Sequence, residues 1–142
     1  RNPDQHAIRA LLQQARTIAI VGLSDDPHRP SYGVARGLQT FGYRIVPVNP
    51  ALDSVWGERA IPDLDHLGDV LGPGERVDIL DVFRAPEHVD AIVDDCIRLR
   101  VPALWLQEGV VNAAAARRAE DAGILVVMDR CIFKTRASLK SF

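Results

Sequence analysis

A nearly uninterrupted apolar run, Thr17-Ile18-Ala19-Ile20-Val21, stops at Gly22, passes through a polar loop punctuated by Pro27 and Pro30, and re-emerges at Ser31 as a helix start. This reads as a strand, a loop and a helix N-terminus. In an α/β chain such a junction favours an anion, because the first helical turn carries unpaired backbone N–H groups and the positive end of the macrodipole. The glycine pattern departs from both common phosphate loops. G-x-G-x-x-G is replaced by Gly22-x-Ser24 and a longer insert, and nothing matches G-x-x-x-x-G-K-[ST]. What remains is two hydroxyls (Ser24, Ser31), a guanidinium (Arg29) and free amides, a set suited to a pyrophosphate. The plainer alternative is that Gly22 and Pro30 merely shape an ordinary strand-to-helix loop.

A chain of 142 residues is the size of one domain with a real core. Its formal net charge of −2 gives no electrostatic reason to expect nucleic acid. No apolar run reaches the length of a membrane span, and the segment Arg1 to His6 lacks the apolar core of a signal peptide. A soluble, cytoplasmic protein is expected. The 2 cysteines, Cys96 and Cys131, form no C-x-x-C, so neither a zinc site nor a disulfide framework is indicated.

Taken in order, the chain predicts a helix from Pro3 to Ala15, with Asn2 as N-cap and Ile8, Leu11, Leu12 and Ala15 on one face. After the first strand, a helix from Tyr32 to Phe41 ends at Gly42 in the C′ position. Arg44 to Val48 is the second strand. The stretch Ala51 to Gly74 is loop-rich, with a short helix near Asp63 to Val70, and Trp56 either walls a pocket or belongs to a small satellite core. Val77 to Phe83 is the third strand, and Pro86 opens a helix that runs to about Arg100. Ala103 to Leu106 is the fourth strand; Asn112 caps a helix from Ala113 to Ala122 that Gly123 stops. Ile124 to Met128 is the last strand, followed by a tail. Helical crossovers between short apolar strands predict a Rossmann-like α/β fold: a doubly wound, mainly parallel sheet of about five strands with helices on both faces.

In such sheets ligands lie outside the carboxyl ends of the strands. Those ends here are Gly22-Leu23-Ser24, Asn49-Pro50, Phe83-Arg84, Gln107-Glu108-Gly109 and Asp129-Arg130-Cys131. Arg29, Arg84 and Arg130 all fall in these loops, which suits a polyanion. The alternative is that Arg84 and Arg130 pair with neighbours such as Asp81 and Asp129. A nicotinamide site usually ends its second strand in Asp or Glu to hold the adenosine ribose. Asn49 stands there instead, and it tolerates a nucleotide bearing a 3′-phosphate. No nucleophile elbow, metal-ligand spacing or acid/base couple stands out. Cys131, after Arg130, is the one reactive candidate, set against the burial habit of free cysteines.

Together, Ile20-Val21-Gly22-Leu23-Ser24, Arg29-Pro30-Ser31-Tyr32, Val48-Asn49-Pro50, Asp81-Val82-Phe83-Arg84, Trp105-Leu106-Gln107-x-Gly109-Val110 and Val127-Met128-Asp129-Arg130-Cys131 resemble the small stand-alone CoA-binding proteins of bacteria. Those are similar in fold to the CoA-binding domain of the succinyl-CoA synthetase α subunit. The resemblance spans Thr17 to Cys131. It implies one CoA-binding domain over residues 1–142, with a helix at 3–15, a core at 17–131 and a tail at 132–142. It also implies a ligand, coenzyme A or an acyl-CoA, held by Gly22, Leu23, Ser24, Arg29, Ser31 and Tyr32, then Asn49 and Pro50, then Val82, Phe83 and Arg84, with Gln107, Gly109 and Arg130 beyond and Cys131 near the thiol. The pyrophosphate would lie on the Gly22 to Ser31 loop and the 3′-phosphate end near Asn49 and Pro50. The synthetase's phosphohistidine and nucleotide-grasping domains have no counterpart in this sequence, so the ligase activity does not transfer. A binding protein without chemistry of its own is the leading expectation. Its rivals are an accessory subunit in acyl-CoA chemistry and a redox protein forming a CoA–Cys131 mixed disulfide; a protein partner or a homodimer stays open.

Overall fold

Every strand of the main sheet is short and apolar because both of its faces are covered. The computed structural model describes residues 1–140 and 142. Strands β1 (Thr17–Val21), β2 (Arg44–Val48), β5 (Ile79–Val82), β6 (Ala103–Leu106) and β7 (Leu125–Met128) form one parallel sheet in the order β2-β1-β5-β6-β7. Between β2 and β5 lies a small antiparallel hairpin, β3 (Ser54–Val55) and β4 (Glu58–Arg59). The helices are α1 (Gln5–Gln14), α2 (Pro30–Thr40), α3 (Val89–Arg98), α4 (Ala113–Asp121) and α5 (Ile132–Ser138). The doubly wound parallel architecture expected from the sequence is what is observed.

Side chains alternate across a strand, and this sorts the core into two layers. Ala19, Val21, Leu80, Val82, Leu104 and Leu106 pack with Val89, Val93 and Cys96 of α3 and Ala115 and Ala119 of α4. Ile18, Ile20, Ile79 and Trp105 pack on the other side with Ile8 and Leu12 of α1, Val34, Ala35 and Leu38 of α2 and Ile132 of α5. The chain leaves β1 toward β2 in one direction and returns to β5 on the other side of β1. The carboxyl ends of β1 and β5 are therefore the topological switch point, where adjoining loops diverge and leave a crevice.

Several local expectations need correction. Asn2 does not cap α1: its side-chain amide pairs with the exposed edge of β7, donating to the Met128 carbonyl at 3.0 Å and accepting the Met128 N–H at 2.7 Å. Asp4 caps the helix instead, accepting the Ala7 N–H at 2.9 Å. The helix after the first loop starts at Pro30, which suits N1 because its missing N–H has no intrahelical partner there. Pro86 opens a 3₁₀ turn, Pro86–His88, that leads into α3. A 3₁₀ helix, Leu64–Asp69, stands where a short helix was expected. The hairpin in the loop-rich stretch turns on Trp56 and Gly57, both at positive φ (52° and 78°), as a two-residue hairpin turn requires. Residues 132–138, expected as part of a tail, form α5, whose Phe133 ring packs against Gly37 of α2. Among the described residues no helix is long and apolar enough to cross a membrane.

Candidate functional site

At the switch point the β1 and β5 termini touch. Gly22, at φ +85°, lies so close to β5 that a Cβ would stand 2.5 Å from the Phe83 carbonyl oxygen and 2.9 Å from Cδ of Arg84. The Gly22 N–H donates to the Val48 carbonyl at 3.0 Å, tying the third strand end, β2, to the same point. Above this junction opens a cleft of about 400 Å³, lined by Gly22, Ser24, Arg29, Pro30, Ser31, Val48, Asn49, Pro50, Phe83 and Arg84.

The cleft's polar groups divide into those that build it and those left over. Ser31, 3% exposed, accepts the Ser24 N–H on its hydroxyl at 2.9 Å, and the Ser24 hydroxyl accepts the Asp26 N–H at 3.0 Å. Both oxygens hold the loop in shape, and each keeps an O–H to donate. Asn49 likewise links two loops, donating to the Leu23 carbonyl at 3.0 Å and accepting the Ala51 N–H at 2.9 Å. Arg29 and Arg84 are the remainder. Neither has a carboxylate partner among the described residues, and no Asp or Glu lines the cleft. Arg29 also holds the N-cap position of α2 without a side-chain cap bond, so the positive end of that helix faces the same space.

The pairing alternative for the arginines does not hold. Asp129 accepts the Gly109 N–H at 2.8 Å, and Asp81 is fully buried with neither carboxylate oxygen hydrogen-bonded. Desolvation pushes the Asp81 carboxyl well above the usual carboxylate range, which disfavours the charged form that an ion pair would need.

Eight of the residues expected at the site meet in this cleft: Gly22, Ser24, Arg29, Ser31, Asn49, Pro50, Phe83 and Arg84. Pro30 and Val48 join them. Val48 could have been found from the strand end it shares with Asn49, and Pro30 from its place at the helix start. Leu23 and Val82 are 0% exposed and belong to the two core layers. Tyr32 stacks on Trp56 with ring centroids 4.3 Å apart, and the indole N–H of Trp56 donates to the Tyr32 carbonyl at 2.8 Å. Trp56 thus fastens the hairpin to α2 and does not wall the cleft. Gln107 is buried and spends its carbonyl oxygen on the Ile132 N–H at 3.1 Å, at the start of α5. Gly109 sits at φ +82° beneath Asp129.

Arg130 lies apart from Arg29 and Arg84. It borders a second cleft of about 560 Å³, between the first turns of α1 and the face of α5. Trp105, fully buried, donates its indole N–H to the Arg130 carbonyl at 2.9 Å. Cys131 is 6% exposed and lines neither cleft. Cys96 is buried in the opposite layer, its thiol 3.6 Å from the Val101 carbonyl and its pKa pushed up to about 12 by burial, so it stays a thiol.

A parallel sheet with an acid-free, arginine-bearing cleft at its switch point has the arrangement in which α/β folds receive anionic ligands. Residues 16–136 match the CoA binding domain family, and the chain belongs to it. It is 36% identical over 140 residues to YneT of Bacillus subtilis, described only as uncharacterized, the match covering 99% of each chain. A solved Thermus thermophilus protein, cell-free ID.343, is 38% identical with a TM-score of 0.86, covering 95% of this chain and 98% of its own. The fold also recurs in a dinucleotide-forming acetyl-coenzyme A synthetase of Ca. Korarchaeum cryptofilum, at 22% identity and a TM-score of 0.64, where 78% of this chain matches 25% of the larger one.

Proposed function

We propose that the protein holds coenzyme A or an acyl-CoA across the carboxyl ends of β2, β1 and β5, with no chemistry of its own. The pyrophosphate lies over Gly22 and the α2 N-terminus, within reach of Arg29, Arg84 and the hydroxyls of Ser24 and Ser31. The 3′-phosphate end of the adenosine lies by Asn49 and Pro50. The observation that carries this reading is that Arg29 and Arg84 share a cleft free of carboxylates and have no acidic partner among the described residues. Two guanidinium groups beside a helix N-terminus, with no carboxylate in the cleft, favour an anion there, and family membership supports coenzyme A as that anion. A second strand ending in Asn49 supports a 3′-phosphorylated nucleotide over a nicotinamide one. The mixed-disulfide alternative has weaker support, because Cys131 is buried and lines neither of the two clefts. Calorimetry with CoA, 3′-dephospho-CoA, NAD and FAD tests the reading: CoA should bind most tightly, and no CoA binding at millimolar ligand would overturn it.

A further inference from the structure

The larger cleft, beside α5, has no part in the site described so far, yet it opens at the far end of the same row of strand termini. Its lining is mixed: Pro3, Ile8 and Leu139 supply the apolar part, and Gln5, Thr135 and Ser138 with the charged side chains the polar part. Its charges are Arg130 at the end of β7, Lys134 on α5 and Asp4. Asp4 is committed to capping α1, and Lys134 is paired with Glu108 at 3.3 Å. Arg130 has no carboxylate partner among the described residues; the adjacent Asp129 is turned to the Gly109 amide. The lip therefore offers one guanidinium without a carboxylate partner beside a groove of mixed polar and apolar lining.

Distance connects this groove to the first cleft. β5, which ends in Phe83 and Arg84, is two strands away from β7, which ends at Arg130. Two inter-strand steps of ~4.8 Å make roughly 10 Å. An extended pantetheine arm leaving a pyrophosphate at the switch point is longer than that. It would pass the ends of β5 and β6 and deliver its sulfur, with whatever acyl group it carries, to the mouth of the groove.

We propose that the groove between α1 and α5 receives the acyl end of a CoA thioester whose acyl group terminates in a carboxylate, with Arg130 as the charge partner of that carboxylate. The proposal rests on the CoA reading above and adds to it the class of acyl group. The short acyl chain lies in the groove beside Pro3 and the edges of Ile8 and Leu139, while the Thr135 and Ser138 hydroxyls are spent on the Cys131 and Thr135 carbonyls and leave Arg130 as the group that meets the carboxylate.

Glutaryl-CoA and pentanoyl-CoA match in chain length and differ in the terminal carboxylate, so calorimetry of the full chain with both, and with CoA, separates the possibilities. The wild-type protein should bind glutaryl-CoA about tenfold more tightly than pentanoyl-CoA, and Arg130→Gln should erase most of that preference. Ser138→Phe, a change at an exposed position on the groove wall, should weaken both thioesters relative to CoA, with melting temperature confirming the fold. CoA binding with equal affinity for the two thioesters, or a preference that survives Arg130→Gln, overturns the acyl assignment and leaves the CoA reading standing. Failure to bind CoA itself overturns both.

Discussion

Gly22 and Phe83 stand so close that no side chain fits between them: a Cβ on Gly22 would approach the Phe83 carbonyl oxygen to 2.5 Å. The contact holds β1 and β5 together where the chain changes direction, so it shapes the cleft floor as well as the sheet. Gly22→Ala would add this clash to the cost of a side chain at φ +85°, of order 1–2 kcal/mol for the backbone conformation alone. Chemical denaturation should show at least that loss. Unchanged stability would mean that the two strand ends are not in contact.

Ser31 supplies the acceptor that fixes the first loop, taking the Ser24 N–H from inside the fold. Ser31→Ala leaves that amide without a partner, which should cost about 1–3 kcal/mol of stability. Ser31→Thr keeps the hydroxyl and should restore most of it. Equal stability of the wild-type and alanine proteins would remove the hydroxyl from its structural role.

Asp81 makes folding take up a proton. Its carboxyl titrates near pH ~3.9 in the unfolded chain and far higher in the folded one, where burial disfavours the charge. Between those two values the folded state binds the extra proton. Asp81's contribution to stability is therefore fully present below pH ~4 and is lost as pH rises toward the folded pKa, by up to about 1.4 kcal/mol per pH unit. Asp81→Asn removes the titration. Urea midpoints from pH 5 to pH 8 should decline more steeply for the wild type than for the variant; parallel curves would show that Asp81 has found a partner or is ionised.

Much of this was legible in the sequence because local chemistry and global packing agree. Asn112 and Gly123 mark the two ends of α4 as their side-chain preferences dictate, with Asn112 accepting the Ala115 N–H and Gly123 at φ +87°. Strands buried on both faces read as apolar runs. The hairpin at Ser54–Val55 and Glu58–Arg59 was missed because strands this short carry no periodicity, leaving only Trp56-Gly57 as a signal. α5 was missed because Ile132-Phe133-Lys134-Thr135-Arg136-Ala137-Ser138 has little apolar pattern and no N-cap side-chain bond; Gln107, distant in sequence, accepts its first N–H. The role of Asn2 is invisible locally because its partner, Met128, lies 126 residues away. Arg130 was grouped with Arg29 and Arg84 because all three follow strands, and only the strand order puts β7 at the opposite edge from β2.

The account depends most on Arg29 and Arg84, which have no carboxylate partner among the described residues. Isothermal titration of CoA into the wild type, Arg29→Ala and Arg84→Ala tests it directly. Each substitution should weaken binding by about 1–3 kcal/mol, the range of a charge-assisted contact, and the loss should shrink as salt is raised. Wild-type affinity in both variants would contradict it.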